Sequence, residues 1–130
     1  MARRVFLSFV EEDLDLVNLF RGQAKNKSSA LEFSDYSVKV PYDSNDATYI
    51  RRKIRERIRA ASVTICLIGD TTNRSRWVDW EIRTSGDEGN KIIGVRLHSN
   101  ATRDTPPKAL TDLRVPIYNW DIDAIVRAIG

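Results

Sequence analysis

The run "SVTICLIG", residues 62–69, limits the fold of this chain more than any other stretch. It is almost continuously apolar, yet far too short to span a bilayer. A strand with no polar face has to be covered on both sides, which is the situation of a central strand in a parallel sheet. Parallel strands cannot be joined by tight hairpins, so the remainder of the chain must supply crossover helices.

Those crossovers can be read on either side of the run. "RVFLSF", residues 4–9, is a short strand, and the acids Glu11, Glu12 and Asp13 after it suit the positive end of a helix. The helix that follows places Leu16, Leu19, Phe20 and Ala24 at helical spacing toward a core. "ALEFSDYSVKV", residues 30–40, alternates like an edge strand, and "PYDSND" is a polar loop. Over residues 48–61, Ile50, Ile54, Ile58 and Ala61 form one stripe, with Arg51, Arg52, Arg55 and Arg59 opposite. Beyond the apolar run, a helix reaches about Gly86 with Thr72 or Asn73 as its N-cap. "KIIGVRL" is a buried strand, a long loop with one short helical turn follows, and "VPIY" is a last strand. Ile122, Ile125, Val126 and Ile129 make a closing amphipathic helix. The alternation predicts an α/β, flavodoxin-like three-layer sandwich: a single domain over residues 1–130 with a mostly parallel four- or five-stranded sheet in the order 2-1-3-4-5. Ligands in such folds sit beyond the carboxyl ends of the strands, where residues 9–13, 41–46 and 69–77 should converge.

Composition removes several classes of function. In 130 residues, 21 Lys and Arg oppose 18 Asp and Glu, and the resulting +3 is not gathered into a block. Nucleic-acid binding is therefore not implied, and the arginine row reads as a solvated helix face because no aromatic residues are interleaved with it. The amino terminus lacks the apolar core of a signal peptide and no segment could cross a membrane, so a cytoplasmic protein is expected. The lone Cys66 reads as a small core residue. No Gly-rich phosphate loop occurs, which disfavours dinucleotide-dependent redox chemistry and P-loop enzymes.

The stretch "SRWVDWEI", residues 75–82, is the chemically suggestive one. On a helix Trp77, Trp80 and Glu81 share a face. Trp80 is expected to be the more buried ring, anchoring the helix on the sheet, while Trp77 is equally a packing residue or a wall of a site. Glu81 has Ser85, not a cation, four residues on, so it is not half of a routine surface pair. A carboxylate set against tryptophan in a cleft has an altered affinity for protons, and Glu81 is expected to open on a pocket beside Phe9. Asp70 reads as a turn or capping residue, and His98 as a surface or packing histidine without a partner.

Three pieces, "RVFLSFVEED", "YIRRKIRERIRAASVTICLIGDTTNRSRWVDWEI" and "NKIIGVRL", together resemble a Toll/interleukin receptor (TIR) domain, most closely the bacterial TIR-like family of Thoeris antiphage sensors. The resemblance implies an enzyme that cleaves NAD, with Glu81 catalytic and Phe9, Ser75 and Trp77 contacting the substrate. NAD would be consumed as a substrate, with no resident cofactor or metal. The implied product is an ADP-ribose-type messenger, often cyclic, that activates a separate effector protein. Self-association on activation and a phage-derived trigger belong to the same expectation. The Arg-Gly-Glu-Asp first loop of plant-type domains and the Pro-Gly second loop of animal receptors are both absent, so adaptor contacts do not transfer. Two other readings compete with it. One is a non-catalytic scaffold on the same fold; the other, a phosphoryl-accepting receiver, fails because "LRVPIY" ends without the required Lys.

Overall fold

The computed structural model describes residues 3–37 and 39–130. Five parallel strands form one sheet in the order β2-β1-β3-β4-β5, as expected. They are β1 (Arg3–Ser8), β2 (Leu31–Ser34), β3 (Val63–Ile68), β4 (Lys91–Arg96) and β5 (Ile117–Tyr118). Every residue of β3, the central strand, is buried.

The helices are α1 (Leu14–Lys27), α2 (Ala47–Ala60), α3 (Arg76–Asp87), α4 (Lys108–Asp112) and α5 (Ile122–Ile129). α1 and α5 cover one face of the sheet, where Leu7, Phe9, Val17, Phe20, Ile65, Val95 and Ile125 pack together. α2, α3 and α4 cover the other: Phe6, Ile54 and Trp77 form one cluster there, and Cys66, Ile82 and Leu110 another. Strand order and right-handed crossovers dictate this split, since the chain steps one way from β1 to β2 and the other way from β2 onward.

Three local expectations are corrected. In α1 the buried stripe is Val17, Phe20 and Ala24, while Leu19 is 53% exposed; Leu19 lies about 200° around the helix from Val17, so one stripe cannot hold both. The edge strand ends at Ser34 rather than running to residue 40, and Val38 within that expected strand lies outside the described residues. Asp35 there turns to the Arg21 guanidinium at 2.9 Å, and Tyr36 and Val40 pack toward α2 and Trp77 rather than extending the sheet. The cap of α3 is Ser75, whose hydroxyl accepts the Val78 N–H at 3.1 Å. Thr72 instead accepts the Gly69 N–H at 2.7 Å and shapes the turn into the helix.

Candidate functional site

Glu81 is fully buried on the α2/α3 side of the sheet. β1 alternates, so Phe6 and Ser8 face that side while Leu7 and Phe9 face the other. The Ser8 hydroxyl donates to Glu81 Oε1 at 2.7 Å. Lys39 Nζ lies 3.0 Å from Oε2, an ion pair that compensates charge without an aligned hydrogen bond. Burial pushes the Glu81 carboxyl above the ordinary glutamate value, and the Lys39 charge and Ser8 hydroxyl pull it back down. The same burial, with Glu81 adding to it, raises the Cys66 thiol and keeps it inert.

A buried polar thread continues beneath the carboxylate. Ser85 Oγ donates to the Glu81 carbonyl at 2.8 Å and lies 2.7 Å from the Thr64 hydroxyl, tying α3 to β3. Its effect is to fix the rotation of α3, because any other phase would strand these groups without partners.

Residues 39–43 form a cover. The Trp77 indole N–H donates to the Val40 carbonyl at 2.6 Å, and the Tyr42 ring meets Trp77 edge-on at 5.1 Å between centroids. The Arg51 guanidinium donates to the Tyr42 carbonyl at 3.1 Å and lies 4.3 Å from the Tyr42 ring centre, and Arg76 pairs with Asp43 at 2.5 Å. With Lys39 this closes the approach to Glu81 from the loop side.

The expected division of labour between the tryptophans is therefore reversed: Trp77 is 7% exposed, and Trp80 is only half-buried. Spacing alone cannot say which of two rings at i and i+3 turns to α2; the hydrogen bond to Val40 decides it for Trp77. The pocket expected beside Phe9 is not formed, because Phe9 is 3% exposed and packs in the α1/α5 layer, across the sheet from Glu81. Ser75 lies on the outer side of α3, lining a separate cleft of about 340 Å³. Trp77 and Glu81 are thus brought together, while Phe9 and Ser75 stand apart from them. Two partners of Glu81 were not anticipated. Ser8 carried a signal, being the polar end of an apolar strand on the face of Phe6; Lys39 carried none, since its pairing depends on the path of an irregular loop.

A second polar cluster lies beyond β3 and β4. His98 Nδ1 is 2.6 Å from Asp104 Oδ1, and Asp104 Oδ2 accepts the His98 and Asn100 N–H groups at 2.8 and 3.3 Å. His98 thus has the partner that its neighbourhood in sequence did not reveal. Asp70, expected to shape a turn, accepts both arms of Arg103 at 2.6 and 3.1 Å, and that guanidinium holds its carboxyl below the usual range. Donor atoms of Asp70, His98 and Asp104 lie within 4.8 Å of one another, the spacing of a cation site. Both carboxylates are already taken by Arg103 and by loop N–H groups, which makes the cluster a brace for the loop after β4. Gly69 lies close beside it, and a Cβ there would force the Asp13 carboxylate to shift.

The family model described as "Thoeris protein ThsB, TIR-like domain" matches residues 6–102. The chain belongs to that family. A Bacillus cereus (strain MSX-D12) protein, provisionally described as the cyclic ADP-D-ribose synthase ThsB1, is 39% identical over 108 residues, which is 80% of this chain. The match spans 55% of that protein, about half of its length. Among solved structures, the TIR domains of the activated Roq1 resistosome recognising the pathogen effector XopQ superpose with a TM-score of 0.60 at 14% identity, covering 98% of this chain and 97% of that one. The RPS4 and RRS1 TIR domain heterodimer gives 0.60 at 14%, covering 99% and 96%. At that identity the likeness concerns the fold. Among the described residues, no helix is long and apolar enough to cross a membrane.

Proposed function

We propose that this TIR-like domain cleaves the bond between nicotinamide and ribose in NAD, with Glu81 as its catalytic carboxylate. The observation carrying this reading is that Glu81 is a fully buried carboxylate at the end of β1, held by Ser8 and by a lysine from a loop rather than from the core of the fold. Burying a carboxylate is costly, and a fold that needed only packing would place an apolar side chain here. The relative's provisional description as a cyclic ADP-D-ribose synthase points the same way.

The chemistry asks little beyond one anion. Glycosidases usually pair two carboxylates because the leaving alcohol needs a proton. Nicotinamide in NAD is already cationic and departs neutral with the electron pair of the broken C1′–N bond, so no general acid is required. Glu81 would accept hydrogen bonds from the ribose hydroxyls and stabilise the positive charge spreading over C1′ and the ring oxygen. Lys39 presently occupies the place of that positive charge, so the cover over residues 39–43 must open before NAD enters. Trp77 would then become a wall of the opened site, with Ser75 as a more distant substrate contact.

Closing the site again over the bound sugar excludes water. A hydroxyl of the same molecule, which loses its proton, or an adenine ring nitrogen, which attacks with its lone pair while the exocyclic amine gives up a proton, then bonds to C1′ and gives a cyclic ADP-ribose-type product; water in its place loses a proton and gives the linear one. As a messenger in antiphage defence, that product would act on a separate effector protein in the cytoplasm. Self-association, prompted by a phage component, is the proposed trigger for opening.

The alternative is a non-catalytic TIR-like scaffold, and the covered state of Glu81 favours it. Incubating the concentrated protein with NAD in a crowding agent, and following nicotinamide release while identifying the product by mass spectrometry, separates the two. Release with an ADP-ribose-type product supports the enzyme; intact NAD under those conditions leaves the scaffold.

A further inference from the structure

The arginines of α2 have no aromatic residues between them in sequence, but folding supplies those rings from elsewhere. The Tyr42 ring has Arg51 4.3 Å and Arg76 4.4 Å from its centre, Trp80 has Arg55 at 5.7 Å, and Trp77 joins the two rings edge-on. On the outer side of this stack lies the cleft of about 340 Å³, with Tyr42 and Trp80 as walls and Arg74, Arg76 and Arg83 on its rim. Asp79 is the one carboxylate among its lining residues.

Two of the three rim arginines are available. Arg74 is exposed, and its guanidinium has no hydrogen-bond or ion-pair partner among the described residues. Arg76 pairs with Asp43 where both side chains are largely exposed, at 61% and 74%, a pair that water and salt weaken and a phosphate can replace. Arg83 is shared between Asp79 and Asp112 at 2.7 and 2.9 Å. Guanidinium groups bind phosphate oxygens in pairs, and exposed aromatic faces accept a stacked base. The cleft, about 340 Å³ with Trp80 as its stacking wall, suits one nucleotide rather than a strand. An acidic peptide would use the arginines but leave the rings without a function.

We infer that this cleft is the anchoring site for the adenosine and pyrophosphate part of an adenine dinucleotide, with Arg74 and Arg76 on the phosphates and Trp80 on the base. The inference rests on the proposed NAD reading and deepens it, since Tyr42 belongs both to this cleft and to the cover over Glu81. A phosphate that draws Arg76 from Asp43 works directly on the segment that must open.

ADP, which has no nicotinamide bond to cleave, tests the site without any turnover. Titrated into the protein at low salt and followed by calorimetry, it should bind saturably. Trp80→Ala should weaken it about tenfold and Arg74→Glu at least as much. Arg74→Glu alters an exposed side chain and keeps the test valid if Trp80→Ala misfolds. Because ADP has no scissile nicotinamide bond, a failure of the proposed chemistry leaves this result standing. No saturable binding to the folded wild type, equal binding in Arg74→Glu, or displacement of ADP by an equal concentration of poly-glutamate peptide would overturn the inference.

Discussion

The two faces of one sheet are built on different terms. The α1/α5 face is hydrocarbon throughout: Phe20 sits at zero exposure among Val5, Leu7, Val17, Ile65 and Ile125. The α2/α3 face buries Ser8, Thr64, Glu81 and Ser85 among its apolar side chains. Apolar packing is indifferent to pH and partners, whereas each buried polar group needs a donor or acceptor supplied at the right place. A sheet that already has one fully apolar face does not need the second to be polar in order to fold. The polar face is therefore where a requirement other than folding has been imposed.

The largest expected effect breaks the apolar side. Phe20→Ala should cost about 3–5 kcal/mol of unfolding free energy in a urea titration, with no change in how stability depends on pH. A cost below about 1 kcal/mol would mean that this face is not the close-packed one.

A smaller effect sharpens the polar side. Lys39→Met removes the cation that holds the Glu81 carboxyl down, so its pKa rises further. Because the ionised form does the work and Lys39 pairs with it in the resting enzyme, the acidic limb of the pH profile of kcat/KM for nicotinamide release should move to higher pH. A profile that coincides with the wild type would show that Lys39 leaves the open, working site unaffected.

The smallest effect is on stability. Glu81 has a folded pKa above its ordinary value of 4.5, so between those two values the folded state holds more protons than the unfolded one. Stability from this group is then fully present at low pH and declines as pH rises through that window. Subtracting the stability curve of Glu81→Gln from that of the wild type should reveal this decline; a difference that grows with pH instead would contradict the raised pKa.

The contrast between the faces also explains what was legible in the sequence. β3 is read from its sequence directly, because a nearly unbroken apolar run has one stable environment, and the apolar centre of β4 follows suit. The isoleucines of α2 fixed its buried face for the same reason. What escaped notice depends on parts of the chain that meet only after folding. Residues 35–40 alternate like a strand, but their apolar members pack on α2 and Trp77 instead, and that departure carries Lys39 to Glu81. Trp77 and Trp80 are equivalent by spacing and differ through a hydrogen bond to Val40. Asp104 follows His98 closely in sequence, yet the turn that folds it back onto the imidazole leaves no periodic pattern. Glu81 itself could be singled out because the absence of a cation four residues on is visible locally, whereas its actual partners are not.

The central claim is that the carboxylate buried on the polar face works on substrate rather than holding the fold. The most direct measurement is the rate of nicotinamide release from NAD by wild type and Glu81→Gln, with circular dichroism showing both folded. The amide variant should keep its fold and lose release by at least about 100-fold, as expected when an electrostatic stabiliser of the transition state is removed. Equal rates in the two folded proteins would contradict it.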